Sequence, residues 1–351
     1  MGLNLELWQG KKILVTGHTG FKGSWLTLFL NHIGAQVTGI SLAPPPGVSL
    51  FKDAEIQLHT RNHVIGDIRN FNQVEDIIYQ YQPDFVFHLA AQSLVFESYQ
   101  NPLDTIETNI VGSANVILAA VRSKNVCGVL NVTTDKVYQN REHGKSFTEN
   151  DPLGGDDVYS ASKACSEILT NALFRSFPEE KFLSTARAGN VIGGGDWSDH
   201  RLVPDIMRSI QTNAILSLRN PESTRPWQHV LDCIYGYLLI AERSFVGENT
   251  SSLSSFNFGP DESLSVAKVL EIFESELKQK IQVEINRGRF LEKSVLQLDS
   301  SKSKSELGWE ATMNPLVAIQ NTARWYSQFL EGKNAYTITI REIEEYLEKL
   351  R

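Results

Sequence analysis

Between residues 12 and 186, short apolar runs alternate with longer amphipathic ones, and that rhythm leaves few folds open. Residues 12–16 read as a buried strand, 21–33 as a helix and 36–40 as a second strand. The Pro44-Pro45-Pro46-Gly47 run that follows must be loop, because prolines lack the N–H donors either element needs. Val64-Ile65 begins a third strand. Residues 70–81 place Val74, Ile77, Ile78 and Tyr81 at helical spacing, and 84–88 is a fourth strand. The pattern then predicts a helix of about four turns over 108–122, a fifth strand over 126–132, a long helix over 159–177 and a sixth strand over 182–186. Strands alternating with helices imply a parallel sheet covered on both faces. Right-handed crossovers then make a doubly wound α/β fold the expected topology.

After Arg187 the alternation stops. Gly193-Gly194-Gly195 is a loop, Ser251-Ser252-Leu253-Ser254-Ser255 reads as a surface loop, and 315–350 as two helices separated near Gly332. The expected division is a first domain over 1–187, with stretches near 225–260 returning to it, and a smaller mixed domain over most of 188–351.

Charge and composition exclude several classes. A formal net charge of -8 argues against general nucleic-acid binding. Cys127, Cys165 and Cys233 are far apart, so neither a metal spacing nor a disulfide framework is expected. The histidines show no metal spacing either. No basic leader and no long apolar stretch is present, so a cytoplasmic protein that does not enter the membrane is expected.

Gly17-His18-Thr19-Gly20-Phe21-Lys22-Gly23 lies between the first strand and the first helix. In this G-x-x-G-x-x-G spacing, Gly17 makes a tight turn, Gly20 admits a pyrophosphate to the backbone and Gly23 brings helix and strand together. The helix N-terminus adds free N–H groups and a partial positive charge. The acid that often holds a dinucleotide ribose about 20 residues further on is missing, since no Asp or Glu occurs between Ser24 and Lys52. Ser41, at the end of the second strand, is the expected substitute. Asp67 and Ile68, after the third strand, are candidates for the adenine, against the alternative of a plain loop acid.

Tyr159 and Lys163 form Y-x-x-x-K at the start of the long helix, on one face of it. A phenol with an ordinary pKa near about 10 is a poor base at neutral pH. An ammonium one turn away, with an oxidised nicotinamide nearby, would favour the phenolate, which can take a proton from an alcohol as hydride departs. Thr134, Asp135 and Lys136 lie just past the fifth strand, at the carboxyl end where ligands bind in such sheets. A polar strand exit capped by an Asp is the alternative.

These motifs, in this order, resemble the extended short-chain dehydrogenase/reductases, and within them the nucleotide-sugar 4,6-dehydratases that act on CDP-glucose. The resemblance rests on Gly17 to Leu26, His88-Leu89-Ala90-Ala91-Gln92, Thr134 to Tyr138, Tyr159 to Lys163, Arg187 to Trp197 and Arg225 to Leu231. It implies a Rossmann-like doubly wound parallel sheet with a smaller mixed C-terminal substrate domain. It also implies NAD as cofactor, held by Gly17, Gly20, Phe21, Lys22, Gly23, Ser41, Asp67, Ile68, Leu89, Ala90, Ala91, Tyr159 and Lys163. His88 falls in the same cofactor-lining run.

The implied chemistry is oxidation at C4 with Tyr159 as base, loss of water across C5 and C6, and return of the hydride to C6. By the resemblance Thr134 orients the C4 hydroxyl, Asp135 protonates the leaving hydroxyl and Lys136 is the C5 base, where related dTDP-glucose enzymes carry a glutamate. A free lysine has a pKa near about 10.4, so burial or a neighbouring cation is expected at Lys136. Gln92, Asn190, Arg201 and Arg225 are implied to bind the nucleotide sugar; Trp197 and Trp227 either stack on it or belong to the core. Leu291-Glu292-Lys293 departs from the family's usual His-Glu-Ala. No metal is implied, and a homodimer or higher oligomer formed through the helices near 108–122 and 159–177 is. A UDP-N-acetylhexosamine or dTDP-glucose dehydratase and a 4-epimerase are sister readings; a nucleotide-sensing regulator is the reading from another class, and its usual mark is a broken Y-x-x-x-K.

Overall fold

Seven parallel strands form one sheet among the described residues. They are β1 (Lys12–Thr16), β2 (Gln36–Ser41), β3 (Asn62–Ile65), β4 (Phe85–His88), β5 (Gly128–Val132), β6 (Phe182–Ala188) and β7 (Ser254–Phe258). Their order is β7-β6-β5-β4-β1-β2-β3, the doubly wound order with its reversal between β1 and β4. The computed structural model describes residues 2–44, 46–139, 144–177, 181–247, 253–286 and 296–350. Leu291-Glu292-Lys293, Pro45, Ser251 and Ser252 lie outside them.

Side chains alternate across the strands, so each apolar run serves two layers. Leu14, Ile40, Val86, Val129 and Leu183 face α2 (Phe71–Tyr81) and α3 (Ser113–Arg122). Ile13, Val15, Phe85, Phe87 and Leu130 face the other way, into a core shared with α1 (Phe21–His32) and α5 (Val230–Phe245). That core continues without a break into α6 (Pro315–Leu330) and α7 (Ala335–Lys349), through Trp325, Tyr326, Ile338 and Ile343. The catalytic-motif helix α4 (Val158–Ser176) starts from an Asp157 cap, whose Oδ1 accepts from Ser160 N at 2.9 Å. The segment after β6 holds short paired strands, Val191–Ile192 with Gln228–His229 and Thr224–Arg225 with Leu264–Ser265.

Three expectations are corrected. β3 ends at Ile65 instead of beginning near it, because polar Asn62 and His63 supply its first half, with Asn62 Nδ2 donating to Thr38 Oγ1 at 3.0 Å. The helix expected from residue 108 is entered earlier, from Pro102, and passes through a π-helical turn, Glu107–Gly112, before α3. Ser254 and Ser255 are not loop: they open β7, where Thr185 and Ser255 share a hydroxyl hydrogen bond of 2.9 Å that no apolar pattern announces.

Candidate active site

A cleft of about 1560 Å³ opens at the carboxyl ends of the strands. One half is lined by the glycine loop. Gly17 sits at φ +77°, and a Cβ there would meet Ala90 N at 2.7 Å. A Cβ on Gly23 would meet Gly17 O at 2.1 Å, so this glycine lets α1 close down on its own turn. Gly20 caps α1 with no side-chain bond, which leaves the first N–H groups of α1 for a ligand. Phe21 and Lys22 line the same wall. Burial pushes the Lys22 ammonium below the usual lysine range.

Ser41 shares a 2.7 Å hydrogen bond with Thr19 Oγ1. Thr19 also lines the cleft and was missed by the motif, whose x positions carry no signal. Two hydroxyls thus stand where many dinucleotide-binding units carry a carboxylate. Asp67 and Ile68 line the cleft as well. Asp67 is gripped by Arg69, whose Nε donates at 2.9 Å and Nη2 at 2.7 Å to Oδ2, and this holds the carboxyl below its ordinary range. Leu89, Ala90 and Ala91 line the cleft beside Gly17; the N–H groups of Leu89 and Ala90 donate to Thr16 Oγ1 at 3.2 and 3.1 Å.

That threonine is oriented by His88, whose Nδ1 lies 2.7 Å from it while Nε2 lies 2.9 Å from Ser113 Oγ. Burial pushes His88 down to about 3, so it is a neutral structural group. His18 is likewise neutral: burial and His63 take it down to about 4.

The reactive groups cluster where the two halves of the cleft meet. Tyr159, Lys163, Thr134, Asp135 and Lys136 all line it. Thr134 Oγ1 donates to Asp135 Oδ1 at 2.9 Å, and the same hydroxyl acts on the Tyr159 phenol, so acid, hydroxyl and phenol are neighbours. Burial pushes Tyr159 up to about 12, opposed by Thr134 and by the Arg201 guanidinium. The cation expected to act on the phenol was Lys163. Its Nζ instead donates to Val132 O at 3.0 Å, and burial with Lys22 nearby brings it down to about 8. Burial raises the Asp135 carboxyl above its ordinary range, the direction a proton donor requires. Lys136 is exposed, so the burial expected around its ammonium is not found.

Of the four residues expected to bind substrate, Asn190, Arg201 and Arg225 line the cleft. Gln92 does not. Its Nε2 donates to Leu94 O at 3.0 Å and to Thr105 Oγ1 at 2.8 Å, and Oε1 accepts from Leu94 N, so the amide braces its own loop. Arg201 pairs with buried Asp196 at 3.1 Å, a residue to which the sequence reading gave no role. Trp197 packs edge-on against Tyr326 in the core, whereas Trp227 lines the cleft with its indole N–H on Leu264 O.

The family model described as GDP-mannose 4,6 dehydratase matches residues 14–321. A CDP-glucose 4,6-dehydratase of Salmonella typhimurium is 38% identical over 98% of this chain and 98% of its own. A dTDP-glucose 4,6-dehydratase of Haemophilus influenzae is 26% identical over 90% of this chain and 97% of its own. Among solved structures, a dTDP-glucose 4,6-dehydratase from Bacillus anthracis in complex with NAD superposes with a TM-score of 0.77 at 23% identity, over 92% of this chain and 98% of that one. This last likeness speaks for the fold.

Proposed function

The chain belongs to the GDP-mannose 4,6-dehydratase family, and we propose that within it the protein converts CDP-glucose to CDP-4-keto-6-deoxyglucose. One observation carries the reading. The Tyr159 phenol, the Thr134 hydroxyl and the buried Asp135 carboxyl stand together in the cleft, with Thr134 hydrogen-bonded to Asp135 and Lys136 next to them. Oxidation and return at C4 need only the phenol and the hydroxyl; a second acid and an amine are what elimination adds. The relative of 38% identity over nearly the whole chain supports CDP-glucose as substrate.

The glycine-lined half fits NAD: an uncapped helix N-terminus and close-approach glycines suit its pyrophosphate, and the Thr19–Ser41 hydroxyls suit a ribose. NAD bound there supplies the hydride acceptor for C4 and the donor for C6. The chain's own groups move the protons. Tyr159, ionised, takes the C4 hydroxyl proton while Thr134 orients that hydroxyl. The C4 ketone acidifies C5, Lys136 takes the C5 proton, and Asp135 gives its proton to the C6 hydroxyl, which leaves as water. Lys136 then returns a proton to C5. Tyr159 ends with one proton more and Asp135 with one fewer, and Thr134 connects the two so that the site can reset. Asn190, Arg201 and Arg225 hold the diphosphate.

The test is incubation of the purified chain and NAD with CDP-, dTDP- and UDP-glucose, followed by mass analysis. Loss of one water from CDP-glucose is expected; no loss from it overturns the reading.

The reading also includes a homodimer. Val111 (47% exposed) and Ile168 (58%) present apolar surface on the helices near 108–122 and 159–177, the two expected to meet a second copy.

A further inference from the structure

One stripe of α4 touches the exit of β5 residue by residue. Tyr159, Lys163, Glu167 and Thr170 recur at helical spacing, and all are buried. Asn131 Nδ2 donates to Thr170 Oγ1 at 2.9 Å, Lys163 Nζ donates to Val132 O at 3.0 Å, and Thr133 Oγ1 donates to Glu167 Oε1 at 2.5 Å. Thr134 acts on the Tyr159 phenol. Of this set, the reaction leaves Glu167 unused, though its carboxylate is the most heavily bonded.

Glu167 accepts from Thr133, from Thr185 Oγ1 at 3.0 Å, and from Arg187 twice, Nε at 2.8 Å and Nη2 at 2.5 Å. Arg187 is equally buried. Its remaining Nη1 donates to the Tyr138 hydroxyl at 2.8 Å, and its guanidinium lies over the Tyr138 ring, 4.9 Å from the centroid. Tyr138 in turn donates to Asn257 Oδ1 at 2.6 Å.

Thr133 and Tyr138 flank the single turn, Asp135–Val137, that bears Asp135 and Lys136. The same ion pair therefore grips that turn at both ends. Its carboxylate half also belongs to the helix that carries Tyr159 and Lys163. We infer that Glu167 and Arg187 are positioning residues that hold the proton-transfer turn in register with Tyr159, so that oxidation at C4 and elimination across C5 and C6 occur on one bound sugar without its moving. A buried bidentate pair suits this task because it fixes direction as well as distance. The inference rests on the dehydration reading above.

The test leaves the ion pair intact and cuts its two links to the turn. Thr133→Val removes one hydroxyl at constant shape, and Tyr138→Phe removes the other. In single turnovers with CDP-glucose and NAD, the 4-keto hexose and the 4-keto-6-deoxy product are trapped by borodeuteride and counted by mass; C5 exchange is read in deuterated water. In the double variant C4 oxidation is expected to stay within about threefold of the parent. C5 exchange and water loss are expected to fall on the order of 100-fold, as for a displaced reacting group, so that the unhydrated 4-keto sugar accumulates. Thr133→Ser, which keeps the hydroxyl, retains both steps. Equal loss of the two steps, or no loss of either, overturns the inference while leaving the function in place. A parent chain that neither oxidises nor dehydrates the sugar overturns the function, and the inference with it.

Discussion

Gly189 lies so close to the carboxyl of Asp135 that a Cβ built on it would stand 1.9 Å from Oδ2. The missing side chain is the space the acid occupies. Gly189→Ala is therefore expected to push the carboxyl off the Thr134 hydroxyl. Water loss should fall on the order of 100-fold, with C4 oxidation and NAD binding little changed. Trapped intermediates counted by mass give the comparison; water loss at the parent rate would show that Asp135 tolerates the methyl group.

Burial holds Asp135 above the ordinary carboxyl range, with Lys136 and Thr134 pulling the other way. An acid raised in the folded state costs the fold nothing below its unfolded value, and destabilises it as pH climbs through the folded one. Asp135→Asn should thus melt at a higher temperature than the parent near about pH 8, and lose that advantage near about pH 4. Its dehydration rate should drop by roughly 100-fold or more, since the amide has no proton to give. Paired melting curves at the two pH values decide the first point, and a gain independent of pH would contradict it.

The doubly wound sheet was legible because strands such as β1 and β4 are nearly continuous apolar runs and helices of the right period alternate with the strands. β7 was not, because Ser255 and Asn257 satisfy neighbours with hydroxyl and amide groups and, with Ser254, leave no hydrophobic trace. The site was legible where chemistry imposes a spacing, as at Gly17, Gly20 and Gly23 or Tyr159 and Lys163. It was opaque where a residue acts through a partner distant in sequence. Thr19 meets Ser41, and Glu167 meets Arg187, only once the sheet is wound. Gln92 shows the converse, a residue in a matching motif whose amide is used up by its own loop.

Arg201 is the cation that pulls down the Tyr159 phenol, against the burial that pushes it up to about 12. A base works only when deprotonated, so a higher phenol pKa moves the acidic limb of the pH profile to higher pH. Arg201→Gln should shift that limb of kcat/KM in the alkaline direction, whereas Arg201→Lys should hold it near the parent position. Both should raise KM if Arg201 helps hold the diphosphate as proposed. A limb that stays in place in the Gln variant would assign Arg201 to binding alone.

Ile168 is 58% exposed on α4, on the helix that also carries Tyr159. Ile168→Asp places a charge in the middle of the proposed contact between two copies, and an unpaired charge there is costly. Sedimentation should find the parent as a dimer or larger and the variant shifted toward the monomer. An unchanged sedimentation coefficient would move the contact elsewhere.

Glu167 and Arg187 are each 3% exposed, so neither charge can turn to water when its partner is lost. Arg187→Met leaves a carboxylate in the core with only the hydroxyls of Thr133 and Thr185 to hold it. Breaking a buried pair from one side typically costs about 3–5 kcal/mol, while replacing both charges with apolar groups of similar volume costs far less. The double variant Glu167→Leu/Arg187→Met is therefore expected to be more stable than Arg187→Met alone, though it lacks more hydrogen bonds. Urea unfolding of the parent, the single variant and the double variant measures the difference. A double variant less stable than the single one would mean that the threonines and Tyr138, left without their charged partner, matter more to the fold than the stranded charge does.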